Sequence, residues 1–159
     1  MLSIRLRLFA GFILVLVLSI LPLPEMITAF RPAWVLLLVL YIEYFLPGKF
    51  NLATVVMLGL VLDVLLSSVI GEHSFALLLV TWIASSKSRR FQFFSMMQQI
   101  FLIGFFCLIY QMVIVFINAL LGFHYNIYNP FICAFVSMFF WPWIRLLGED
   151  IFLTGVVYR

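Results

Sequence analysis

Apolar residues run along this chain in six stretches, at about 8–22, 33–46, 52–70, 74–86, 99–123 and 130–147, and polar residues gather in the short connections between them. Runs near 20 residues are long enough to cross a bilayer as helices. The second and fourth stretches, at about 14 and 13 residues, cross only with help from flanking residues or local thinning of the bilayer. Six crossings are expected, with four as the alternative if both short stretches are re-entrant. The pattern predicts an all-α fold, a single polytopic membrane bundle over residues 1–159.

Composition narrows the class. Hydrophobic residues make up 67% of the chain and charged residues 9%, with a mean hydropathy of +1.27. A soluble domain carries about 25% charged residues, so an ordinary soluble fold is excluded. Residues 1–24 have the charged-then-apolar layout of a signal peptide, but Leu21-Pro22-Leu23-Pro24 offers no small-residue cleavage site, so a retained first helix is expected. With both termini cytoplasmic, Arg5, Arg7, Lys49, Lys87, Arg89, Arg90, Arg145 and Arg159 lie inside and only Arg31 lies outside, the asymmetry that orients membrane helices. Trp34 near one face, with Trp82, Trp141 and Trp143 near the other, fits interfacial aromatic belts. The net charge of +3 follows from topology determinants such as Lys87-Ser88-Arg89-Arg90 and is no argument for nucleic acid.

Asp63 stands out, because it lies deep in the third stretch, where an acidic side chain costs roughly 2.5 to 3.5 kcal/mol at a helix centre. It is expected to face a protein interior as a hydrogen-bonded hub tying helices together, with Arg31 or a serine as partner. A proton relay or a ligand contact is the alternative; a relay needs further ionisable groups strung across the membrane, and none is visible. Glu43 lies near the inner end of its stretch, where it could snorkel or meet Lys49. Gly59, four residues before Asp63, can let helices approach closely. His73, His124, Glu72, Cys107 and Cys133 never fall at metal-ligand spacing, so neither a metal nor a cofactor is expected. No nucleophile elbow, phosphate-cradling loop or His-Glu-x-x-His motif is present. Ser67 and Ser68 near His73 read as helix-end caps ahead of nucleophiles.

Four stretches in order, Leu21-Pro22-Leu23-Pro24-Glu25 with Phe30-Arg31-Pro32-Ala33-Trp34-Val35, Gly59-Leu60-Val61-Leu62-Asp63 with Gly71-Glu72-His73-Ser74-Phe75-Ala76-Leu77, Gln98-Gln99, and Trp141-Pro142-Trp143, resemble the MreD family of rod shape-determining proteins. The resemblance runs from about Leu8 to Leu147 and is closest to the proteobacterial form. Two departures stand out: Ser67 occupies a position where the family often has glycine, and Glu149 and Asp150 replace a basic run in the tail.

The resemblance implies a non-enzymatic subunit of the bacterial inner membrane that binds MreC and belongs, with MreB, RodA and its transpeptidase partner, to the wall-elongation complex. It also implies a six-helix fold similar to the substrate-binding subunits of energy-coupling-factor transporters, from which the rival reading comes: a small-molecule-binding subunit of a membrane transporter. On the family pattern, Arg31, Pro32 and Trp34 would set the outer end of the second helix, Asp63 would fix the third, and Gly71 and His73 would shape the next turn.

Overall fold

The computed structural model describes residues 4–22, 24, 30–46, 48 and 51–153, so that Glu25, Lys49 and Arg159 of the charge pattern lie outside the described residues. Among those described, seven α-helices and no strand are found: α1 (Ile4–Ile20), α2 (Trp34–Phe45), α3 (Leu52–Leu65), α4 (Glu72–Ser85), the single turn α5 (Ser88–Phe91), α6 (Met96–Leu120) and α7 (Asn129–Gly148), which continues as a π-helical turn (Glu149–Leu153). The all-α expectation holds.

Local chemistry moves several boundaries away from the hydrophobic pattern. α6 starts three residues early because Ser95 and Gln98 cap each other: the Ser95 hydroxyl accepts from the Gln98 amide, and the Ser95 amide donates to Gln98 Oε1 at 3.1 Å. It ends at Leu120, followed by a turn whose Gly122 has φ 77°. α7 opens on Asn129-Pro130, with proline in the first turn where its missing N–H costs nothing. The largest difference is in the third stretch. Expected to run to Ile70, α3 stops at Leu65, and residues 66–71 form a turn leading directly into α4.

The helices differ sharply in how they are covered. Every residue of α2 from Val35 to Ile42, and Tyr44, is buried, so the helix is apolar all round, as expected of one enclosed by protein. It packs against α1, α4, α5 and α7. α6 and α7 form the most extensive pair, α3 and α4 the next, and α4 joins the two pairs through α6. α1 lies at the edge, chiefly against α2 and the π-helical turn.

Helices α6 and α7 are long and apolar enough to cross a membrane. Their outer faces carry rows of exposed large side chains at helical spacing: Phe101, Phe105, Met112 and Phe116 on α6, and Phe131, Phe135, Phe139 and Trp143 on α7. Such rows suit a lipid environment and would be a liability in water. By contrast α2 is about 18 Å long and α3 and α4 about 21 Å each, against a hydrocarbon core of about 30 Å. Two close approaches join helices, α3 to α4 and α7 to α2. A β-carbon on Gly59 would collide with the backbone of Ser74 on α4, and one on Gly148 would collide with the ring of Tyr41 on α2.

Candidate functional site

Asp63 sits in the last turn of α3 and is wholly buried. Its carboxylate takes hydrogen bonds from the turn and from the start of α4. Oδ2 accepts from the Gly71 amide at 2.8 Å and from the Ser74 hydroxyl at 3.4 Å. Oδ1 accepts from the His73 amide at 2.9 Å and from the Ser68 hydroxyl at 3.3 Å, and pairs with His73 Nδ1 at 2.8 Å. Gly71 is the N-cap of α4 and supplies no side-chain cap of its own. Asp63 is therefore a cap delivered from a neighbouring helix: it satisfies first-turn amides that α4 leaves open and places a negative charge at the positive end of its dipole. This is why a carboxylate is tolerated at this depth.

The turn is shaped to make that reach possible. Gly71 adopts φ 97°, a left-handed conformation that only glycine takes without strain, and its own amide points at Oδ2. Ser67 adopts φ 52°, a conformation costly for a residue with a β-carbon. The departure noted at Ser67 thus acts on the backbone. Gly59, one turn before Asp63, lets α3 lie against Ser74, whose hydroxyl also contacts Val56 O at 3.2 Å.

Ser68, His73 and Asp63 superficially resemble a hydrolytic triad, but the geometry differs. Ser68 Oγ lies 3.2 Å from His73 Nδ1, the same ring nitrogen that pairs with Asp63. A triad uses opposite ring nitrogens for its serine and its carboxylate. The arrangement locks a turn and presents no activated hydroxyl.

Of the two partners expected for Asp63, the serines are correct and Arg31 is not. Arg31 instead donates to the C-terminal carbonyls of α1, Leu21 O at 2.6 Å and Ser19 O at 3.4 Å, tying the end of α1 to the entry of α2. Pro32 and Trp34 follow at that entry. The Ala33 amide donates to Ser137 Oγ at 3.2 Å, and Trp34 meets Phe140 edge-on at 5.0 Å. Beside them a cavity of about 130 Å³ is lined by residues including Ser19, Arg31, Trp34, His73, Tyr110 and Gln111.

Trp141, Pro142 and Trp143 lie at the other end of the bundle, away from the Asp63 cluster. Trp143 is exposed, as an aromatic belt requires, but Trp141 is wholly buried against Phe91, and its placement in the belt is corrected. Helical phase explains the split: Trp141 continues the buried row Cys133, Ala134 and Ser137, whereas Trp143 continues the exposed row Phe135 and Phe139.

Residues the sequence did not single out as sites complete the polar framework. Glu72, nearly fully buried at the start of α4, accepts from Asn118 Nδ2 near the end of α6. At the opposite end Gln99, fully buried, accepts from Arg145 at 3.0 Å and donates to the carbonyls of Phe94 at 3.1 Å and Phe91 at 3.4 Å. Arg145 also pairs with Glu149 at 3.3 Å and lies over the Phe45 ring. Among the described residues, no group of three metal-ligating side chains occurs.

A family model described as rod shape-determining protein MreD matches residues 3–151. The chain is 28% identical over 140 residues to the rod shape-determining protein MreD of Haemophilus influenzae, an alignment covering 88% of this chain and 86% of that one. No solved structure matches.

Proposed function

The chain belongs to the MreD family of rod shape-determining proteins, and on that premise we propose that it is a non-enzymatic, multi-pass subunit of the bacterial inner membrane. In this reading it binds MreC, and with MreB, RodA and its transpeptidase partner it maintains rod shape by organising or regulating peptidoglycan synthesis. The observation that carries the reading is the family match over nearly the whole chain.

Its physical content is a scaffold. Buried polar groups join helices, as at Asp63 with α4, Glu72 with Asn118 and Arg145 with Gln99. The outer faces of α6 and α7 remain apolar, available to lipid or to a partner's transmembrane segment. Six crossings with both termini cytoplasmic are part of the proposal, arranged as in the substrate-binding subunits of energy-coupling-factor transporters. α2 is short for a crossing but needs no match to lipid when protein encloses it. Arg31, Pro32, Trp34, Gly59, Asp63, Gly71, His73, Trp141, Pro142 and Trp143 act in it as structural or partner-binding residues.

The rival, a transporter's ligand-capturing subunit, needs a pocket of about 300 to 1,000 Å³ with a few convergent polar groups for a ligand of drug size; the cavity beside Arg31 and His73 is about 130 Å³, and a larger one of about 380 Å³ between α1, α2 and the end of α7 is walled almost wholly by apolar side chains. Purification from native membranes in mild detergent with identification of co-purifying proteins tests the choice. Recovery of MreC with RodA or its transpeptidase is expected. Recovery of ATP-binding-cassette ATPases with a coupling protein would overturn the scaffold in favour of transport.

A further inference from the structure

The cavity beside Arg31 lies where α1 and α3 end and α2 and α4 begin, and its walls are chemically uneven. Tyr110 lines the cavity and is 4% exposed, its ring lies 6.1 Å from that of His73, and its hydroxyl makes no hydrogen bond among the described residues. On the same wall, Arg31 Nε is buried and has no hydrogen-bond partner among the described residues; such a group is rare and costly, and calls for a partner that the protein alone does not supply. The neighbouring Gln111 is not such a group, since it donates to Cys133 Sγ and accepts from Tyr125.

The charge on the wall has one sign. Arg31 is the charged residue lining the cavity besides the His73 imidazole. Asp63 is turned away, its oxygens occupied by Gly71, His73, Ser68 and Ser74. The first turn of α2, from Trp34 to Leu36, forms another part of the wall, and this helix begins without a side-chain cap. An uncapped helix start carries positive potential and open amides. A guanidinium, a phenolic hydroxyl and a helix N-terminus around one small space are the donors that an oxyanion takes. The volume of about 130 Å³ is close to that of a cavity known to hold one benzene-sized molecule, so it suits a single small group.

We propose that this cavity binds a small oxyanion, a phosphate or carboxylate group, between the Arg31 guanidinium, the Tyr110 hydroxyl and the start of α2. The group arrives either as a free ion or as the headgroup of an anionic phospholipid. The proposal does not rest on the scaffold reading and stands or falls separately from it.

Trp34 on the wall provides the reporter. The full chain in nanodiscs of zwitterionic phosphatidylcholine is titrated with inorganic phosphate, with acetate, and with short-chain phosphatidic acid, while tryptophan fluorescence is followed. A saturable response that disappears in Trp34→Phe is expected. Tyr110→Phe and Arg31→Gln each weaken it about tenfold, the worth of one hydrogen bond to a charged group. Tyr110→Phe removes a hydroxyl that has no partner among the described residues, so its unfolding temperature stays at or above that of the parent; it decides the matter alone if Arg31→Gln fails to fold. A response to phosphate or acetate assigns a free ion, and a response to phosphatidic acid alone assigns a lipid headgroup. The proposal is overturned by no saturable response to any of the three, by a response that persists in Trp34→Phe, or by equal affinity in Tyr110→Phe.

Discussion

The two ends of the bundle solve the same problem, a charged group among apolar helices, in different ways. At the Asp63 end the charge is fully buried, and two of its partners are backbone amides of a turn that cannot move without breaking α4. At the Arg145 end the charged side chain is 25% exposed and its partners are mostly side chains, Gln99, Glu149 and the ring of Phe45. Backbone donors are fixed by the fold, whereas long side chains choose among rotamers. The first end is built as a rigid joint, and the second tolerates rearrangement.

The largest expected effect breaks the rigid joint. Asp63→Leu leaves the amides of Gly71 and His73 buried without their acceptor, and should cost about 3 to 5 kcal/mol. Unfolding in detergent should show this, together with loss of shape maintenance in a complementation assay at native expression; full stability and full complementation would refute the joint. Gly59→Ala comes next. Its methyl group meets the Ser74 backbone, so α3 must move off α4, at about 1 to 3 kcal/mol. A parent-like thermal midpoint would show that the contact gives way freely.

Arg145→Met sharpens the contrast from the other side. It removes a half-open pair with Glu149 worth little and leaves Gln99 Oε1 without its donor, so about 1 kcal/mol is expected. A loss as large as that of Asp63→Leu in the same melts would make the two ends equivalent. The smallest effect has the opposite sign: Ser67→Gly relieves the left-handed backbone and should raise stability by about 0.5 to 1 kcal/mol. A fall in the midpoint would mean that the Ser67 side chain contributes more than its backbone costs.

Much of the Asp63 joint was legible in the sequence. A lone carboxylate in an apolar run demanded a buried partner, and Gly71 and His73 were marked as a turn. What could not be read was where α3 ends, because Leu66, Val69 and Ile70 continue the hydrophobic run past the true stop. The signal is present in Ser67-Ser68, a polar pair just ahead of the expected helix start at Ser74, but hydropathy outweighs it. Arg31 was misassigned because its partners are main-chain carbonyls, which leave no trace in side-chain identity. The Arg145 end was largely hidden, since a glutamine and an arginine 46 residues apart share no local pattern. Trp141 and Trp143 could have been separated by phase alone, one in register with the small buried residues and one with the exposed phenylalanines.

The enclosure of α2 also has a consequence in time. This helix emerges second from the ribosome, but α7, one of the four helices that cover it, begins at Asn129. At about 5 to 20 residues per second, the wait is on the order of 10 s. Throughout that interval α2, about 18 Å long, lacks one wall of its enclosure. During synthesis, α2 must be sheltered by the insertion machinery or by the helices already made, α1 first and then α4 and α5, and it is most vulnerable before α7 arrives.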